Sequence, residues 1–145
     1  MNTPVAQLLQ AKGHTVYSIG PDDWVYDAVK EMDARRIGSL LVKDAAGHPV
    51  GIVTERDCRH LLLQDRSARK VRVSELMSRN LLTVPPEETV EQCMQMMTEK
   101  RIRHLPVVRG GAVQGIISIG DVVKFLCIER GIEIENLEKY ITGTM

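Results

Sequence analysis

The sequence predicts a mixed α/β (α+β) fold in which one strand–helix–strand–strand–helix unit is used twice. Three observations predict it. First, the stretch from Ser18 to Leu62 recurs from Thr83 to Leu126. The pairs Pro21/Pro86, Val25/Val90, Met32/Met97, Arg36/Arg101, Ile37/Ile102, Leu40/Leu105 and Val42/Val107 lie 65 residues apart. After a one-residue deletion the spacing is 64, with Gly47/Gly111, Gly51/Gly115, Ile52/Ile116, Asp57/Asp121 and Leu62/Leu126. Second, apolar residues fall at helical spacing in the same place in both copies, between short apolar runs. Third, both copies end on G-h-h-[ST]-x-x-D, where h is apolar. The motif reads Gly51-Ile52-Val53-Thr54-Glu55-Arg56-Asp57 and then Gly115-Ile116-Ile117-Ser118-Ile119-Gly120-Asp121.

The elements follow in order. Thr3 can cap an opening helix with Pro4 at its first position and Gly13 just past its end. Its Val5, Leu8 and Leu9 rhyme with Val73, Leu76 and Met77 before the second copy. A short strand (Val16–Ile19, Leu81–Val84) stops at a proline turn, and an acidic pair suits the next helix start. That helix carries Val25, Ala28, Val29 and Met32, or Val90, Cys93, Met94 and Met97. A buried-type strand follows (Ser39–Val42, Leu105–Val108), then a glycine turn, then a second strand (Val50–Val53, Gln114–Ile117). The last helix of each copy starts near Thr54 or Ser118. Gln64–Arg72 reads as a solvated linker holding Arg66, Arg69, Lys70 and Arg72. Beyond Gly131, Ile134, Leu137 and Ile141 share a helical face. The expected organisation is repeat 1 with its opening helix over 1–66, repeat 2 over 67–131, and a helical tail over 132–145.

Composition narrows the function. The 145 residues make about one domain, large enough to fold without disulfide or metal staples. Lys plus Arg and Asp plus Glu both number 19, so no basic excess points to nucleic acid or anionic membrane. Aromatics at 3% are too few for base-stacking platforms. No apolar run approaches a membrane span, and the first residues show no secretory pattern, so a cytoplasmic protein is expected. Cys58, Cys93 and Cys127, odd in number and far apart, read as reduced core thiols.

Catalytic patterns are weak. His14, His48, His60 and His104 have no metal-type spacing to one another or to the cysteines. There is no G-x-S-x-G elbow and no G-x-G-x-x-G. Gly110–Gly115 and Gly115–Gly120 lack the lysine a P-loop needs, having Ile116 and Asp121 instead. Cys93 with His104, or Cys58 with His60, could form a nucleophile pair, although a core cysteine beside an ordinary histidine describes both. No enzyme is expected.

The repeated motif has two readings. Ser or Thr followed three residues later by an acid is a capping box between strand and helix. The same helix start also suits a phosphate, with a hydroxyl to help hold it, and an ionised aspartate can accept both hydroxyl protons of a ribose diol. On that reading Gly51 and Gly115 keep the strand entry uncluttered, and Glu55 and Arg56 occupy in the first copy the positions where Ile119 and Gly120 leave the second uncharged and more open.

At these residues the chain resembles the tandem cystathionine-β-synthase-type (CBS) domain family. The likeness runs from about Val5 to Leu126, and Arg101-Ile-Arg-His-Leu-Pro-Val-Val and the tail ending Tyr-Ile-Thr-Gly are similar to bacterial stand-alone members. The resemblance implies two pseudo-symmetric repeats packed sheet to sheet, a Bateman module with two clefts between the repeats. It implies an adenine-nucleotide ligand (AMP, ADP, ATP or an NAD-type dinucleotide) and a regulatory role without catalysis. Carried over by position, Asp57 and Asp121 would hold ribose hydroxyls, and Thr54 and Ser118 would contact phosphate. Ile37, Ile102, Val84 and Ile119 would wall the adenine, and backbone beside Ile19 and Val84 would read its edge. Arg103 and His104, with Arg56, would face phosphates. The family also implies a homodimer through helices, and the apolar run holding Val123, Phe125 and Ile128 fits one. The regulated protein is unknown, and neither nucleic acid nor membrane is expected as a partner. The competing reading is a structural or protein-interaction module whose clefts stay empty.

Overall fold

The structure, a computed structural model, describes residues 3–131. In chain order these form α1 (Val5–Lys12), β1 (Ser18–Ile19), α2 (Val25–Arg35), β2 (Ser39–Lys43), β3 (Pro49–Thr54), α3 (Glu55–Leu63), α4 (Val73–Leu76), α5 (Val90–Lys100), β4 (His104–Arg109), β5 (Ala112–Ser118) and α6 (Ile119–Glu129). The expected α+β duplication is present. The tail helix expected over Ile134, Leu137 and Ile141 lies outside the described residues.

Two compact units emerge, and their limits differ from those of the sequence repeats. One unit is continuous, Val16–Leu81; the other is split, joining the residues before 16 to those from 82 onward. In the continuous unit β1 runs parallel to β2, and β2 antiparallel to β3. Ala28, Met32, Leu40, Val42, Val53, Val73 and Met77 form its main core. The split unit pairs β4 and β5 antiparallel over a core that includes Val5, Leu8, Leu9, Val90, Cys93, Leu105, Ile117 and Val122.

The strand expected over Leu81–Val84 reduces to a single parallel bridge, Val84 with Val107. Pro106 is the reason. In the first repeat the matching position is Leu41, whose N–H donates to Tyr17 O at 3.2 Å. Proline has no N–H to give, so the ladder stops there. Val84 still donates its N–H to Pro106 O at 3.1 Å and accepts from Val108 N–H at 2.9 Å.

The segments leading into the two repeats explain the division into units. Each lead-in packs on the repeat that does not follow it. In the split unit Val90 N–H donates to Thr3 O (2.8 Å), Val5 N–H to Glu88 O (2.7 Å) and Ala6 N–H to Pro86 O (3.0 Å). In the continuous unit the matching bonds are Val25 N–H to Val71 O (2.9 Å), Val73 N–H to Asp23 O (2.8 Å) and Ser74 N–H to Pro21 O (2.9 Å). These bonds satisfy N–H groups that a helix start leaves without partners. Neither α1 nor α2 has a side-chain cap, and Pro4 sits at the N-cap of α1, one residue earlier than expected.

The linker expected to be solvated is therefore docked. Val71 is 2% exposed and packs with Val25 and Leu61. Arg69 stacks 3.8 Å from the Tyr26 ring centre and Arg72 3.8 Å from that of Trp24. In both contacts the guanidinium itself lies over the ring face, and both arginines stay exposed to water.

Candidate functional site

Both motifs fold into the capping box the sequence suggests. In the continuous unit Thr54 N–H donates to Asp57 Oδ2 at 2.8 Å, and the Thr54 hydroxyl lies 3.1 Å from the same oxygen. In the split unit Ser118 N–H donates to Asp121 Oδ2 at 2.8 Å, and Asp121 N–H donates to Ser118 Oγ at 3.1 Å. In each copy the cap falls on Oδ2, and Oδ1 takes none of these bonds. A carboxylate oxygen has two lone pairs, so Oδ1 can accept two hydroxyl protons without disturbing the cap. The two hydroxyls differ. Both accept the backbone N–H of the aspartate, Thr54 Oγ1 from Asp57 at 3.4 Å and Ser118 Oγ from Asp121 at 3.1 Å, but the Thr54 hydroxyl also donates to Asp57 Oδ2.

The motif glycines serve packing. A Cβ on Gly51 would stand 2.6 Å from Ser78 O and 2.9 Å from Met77 Sδ. One on Gly115 would stand 2.7 Å from Leu9 Cδ2. The strand entry expected to be uncluttered is thus filled in both units by the lead-in segment.

The residues before the motif are placed alike in the two copies. Arg36 and Arg101 follow α2 and α5 in the left-handed region, at φ 55° and 54°. That turn lets Ile37 and Ile102 donate N–H bonds to Met32 O and Met97 O, both at 3.0 Å. An arginine held there costs roughly 1–2 kcal/mol, so the tertiary packing enforces the turn twice. The carbonyls two residues on then take the first N–H of the last helix, Glu55 N–H to Gly38 O (3.0 Å) and Ile119 N–H to Arg103 O (2.9 Å).

The split unit brings more polar groups to its motif. His104 stands opposite Ser118 in the β4–β5 register. Burial pushes the His104 imidazole down to about 4, and Lys12 and Arg103 push the same way against the opposing pull of Asp121. His104 is therefore neutral at pH 7. Lys12, the last residue of α1, places Nζ 2.6 Å from Asp121 Oδ2 and also donates to Ile116 O. Nothing in the sequence reading marked Lys12. The signal was available: the rhyme between the two lead-ins breaks there, with Asn80 at the spacing where Lys12 would recur.

The remaining expected residues are distributed as follows. Thr54, Arg56 and Asp57 share the start of α3, with Arg56 exposed. Ile37 lines a groove of about 460 Å³ between α2 and α3, with Val29, Met32, Arg36, Glu55 and Cys58. Ile102 and Ile119 are half-buried against the core of the split unit, and Ile19, paired with Val42, against that of the continuous unit. Val84 is 2% exposed, so its side chain is a core residue and not an open wall. Its own N–H and C=O are both spent on β4, as given above. Arg103 is exposed beside His104.

The thiols of Cys58 and Cys93 are not activated. Burial, with Asp57 and Glu55, pushes Cys58 up to about 11; burial and Glu88 do the same to Cys93. Thiols held there are protonated at neutral pH and make poor nucleophiles. Among the described residues no group of three or more His, Cys, Asp or Glu is placed to hold a metal ion, and no helix is long and apolar enough to cross a membrane.

Comparison with known proteins bears on the family and the fold. The profile of the CBS domain matches residues 2–64 and again 73–128. The chain is similar to the CBS domain-containing protein CBSX3, mitochondrial, of Arabidopsis thaliana: 37% identical over 151 aligned residues, covering 98% of this chain and 73% of that one. The structure of a putative signal-transduction protein with CBS domains from Burkholderia ambifaria MC40-6 superposes with a TM-score of 0.85. It is 46% identical, over 91% of this chain and 99% of that chain. A third similar structure is the CBS domain pair of protein MJ0100 in complex with 5′-methylthioadenosine and S-adenosyl-L-methionine. It has a TM-score of 0.79 and 25% identity, over 89% of this chain and 99% of that chain.

Proposed function

The chain belongs to the CBS domain family and carries the domain twice, and from that premise we propose that it is a non-enzymatic regulatory module that binds an adenine nucleotide at its repeated motifs. The ligand is AMP, ADP, ATP or an NAD-type dinucleotide. One observation carries the reading: in both copies the cap occupies one oxygen of the aspartate, Asp57 or Asp121, and leaves the other able to take a ribose diol. The Ser118 hydroxyl and the N-terminus of α6 suit the phosphate, with Arg103 and neutral His104 beside them. That a similar CBS pair is described with two adenosine-containing ligands supports the class of ligand.

The output passes through assembly and a partner. We place a homodimer contact on α6, where Val123 and Phe125 are half-buried and Ile128 is 56% exposed. A cytoplasmic setting fits its three free cysteines.

The test is ligand-induced stabilisation, with sedimentation of the same samples to count subunits. Free nucleotide at about 100 times its dissociation constant adds roughly 2.7 kcal/mol per site, on the order of 5–10 °C for a chain this long. Asp121→Asn keeps an acceptor for the cap but weakens the charge-assisted diol bonds, so most of the shift should vanish. Asp57→Asn reports the first motif in the same way. A wild type that none of the four nucleotides stabilises returns the protein to the competing reading, an interaction module with empty clefts.

A further inference from the structure

The two motifs differ most in the charge around their aspartates. In the split unit Lys12 stands against Asp121, and Lys12 and Arg103 both act on nearby His104, which is uncharged. At the positions of Arg103 and Ile119 the first repeat has Gly38 and Glu55, so its motif gains an acid and lacks a base. In the sequence alignment Arg56 takes the position of Gly120, which offsets part of that charge difference. The difference has a structural origin. Helix α1 runs on to Lys12 and reaches Asp121, whereas α4 ends at Leu76 and the chain turns extended at Met77.

Lys12 is held but not saturated. An ammonium has three donors, and two are accounted for by Asp121 Oδ2 and Ile116 O. Side-chain exposures of 36% for Lys12 and 26% for Asp121 leave the pair within reach of solvent and ligand. Oδ2 of Asp121 is filled by Lys12 and Ser118 N–H, so a diol must use Oδ1, with an ammonium next to it. An uncharged nucleoside offers that ammonium only neutral acceptors, whereas a phosphate offers a charge-assisted pair. A 5′-phosphate stands one ribose away from the diol, within the sweep of a flexible four-carbon stem.

We propose that Lys12 is the specificity-determining residue of the second motif, making it select an adenosine ligand that carries a phosphate over an uncharged one. The proposal rests on the reading above that Asp121 takes the ribose. It assigns a phosphate-reading role to the lead-in helix, outside the repeat whose motif it serves.

The experiment is calorimetric titration of the full chain with AMP and with adenosine. Asp57→Asn is present throughout to silence the first motif while keeping the α3 cap. AMP is expected to bind more tightly than adenosine by tenfold or more. Lys12→Gln should cut that ratio at least tenfold, by weakening AMP and leaving adenosine unchanged or tighter, and Lys12→Arg should largely restore it. Both ligands binding with an undiminished ratio in Lys12→Gln overturns the role of Lys12 and leaves the ribose reading intact. A parent protein that binds neither ligand overturns this role, and the stabilisation test with all four nucleotides then decides the ribose reading by itself. A parent that binds the two equally overturns the phosphate preference alone.

Discussion

The two units solve one packing problem with straps of unequal length. In the split unit α1 spans eight residues and buries Val5, Leu8 and Leu9 to 0%, 2% and 1% exposure. In the continuous unit α4 spans four residues; Val73 is fully buried and Met77 8% exposed, while Leu76 stays half-buried. After Met77 the chain is extended, and Ser78 exchanges two backbone bonds with Ile52, at 3.0 and 2.9 Å. The long strap makes a side-chain contact at the motif, Lys12 to Asp121; the short one makes a backbone pairing. The duplication has kept what the core and the caps require and has let the end of the strap vary. The variable part is also the part that reaches the aspartate.

Truncating the straps breaks this comparison most directly. Leu8→Ala should cost about 2–5 kcal/mol in urea unfolding, as a fully buried leucine does. Leu76→Ala, starting half-buried, should cost about 1–2 kcal/mol. Equal costs would mean that the straps are equivalent and that the length difference is idle.

Filling the motif glycines is a smaller and more pointed change. Gly51→Ala sets a methyl against a backbone carbonyl that is already hydrogen-bonded, so the chain itself must shift, at about 2–3 kcal/mol. Gly115→Ala meets only the far end of Leu9, which can turn aside, at about 1 kcal/mol. The order of the two midpoints checks it, and a costlier Gly115→Ala would show that buried Leu9 gives way less than the backbone at Ser78.

The smallest effect is on pH. Only the split unit has a histidine at the strand position before its motif; the first repeat has Ser39 there. His104 binds its proton near pH 4 when folded and near 6.5 when unfolded. Between those values the unfolded chain holds more protons, so stability falls as pH drops through that window. The loss should be about 1 kcal/mol between pH 7 and 5.5. Hydrogen exchange in β4 and β5 should report it, and His104→Ser should flatten the profile. An unchanged profile in that variant would remove His104 as its source.

Much of this was legible in the sequence because repetition doubles the signal. Helix positions, both central strand pairs and both capping boxes follow from apolar spacing and from Ser118, Thr54 and their aspartates. Local patterns could not show three things. The lost strand before Pro85 depends on Pro106, a residue more than twenty positions away. The burial of Val84 and the filling of the space at Gly115 depend on Leu9 and its neighbours, 75 and 106 residues upstream. Lys12 looked like an ordinary helix-ending base, since nothing in its own neighbourhood names Asp121 as its partner. In each case the missing information was which distant segment arrives.

The exchange of lead-ins has a consequence for how the chain is made. By the time Leu81 has been synthesised, every residue of the continuous unit exists. The split unit is then only a helix-forming segment whose Leu8 and Leu9 have nothing to bury against. Their partners Leu105, Ile117 and Val122 come about a hundred residues later. At roughly 5–20 residues per second the wait is on the order of 5–20 s. The earliest apolar helix of this sequence is therefore exposed on the ribosome for longer than any other, and a nascent-chain chaperone that protects one segment of this protein has its clearest target there.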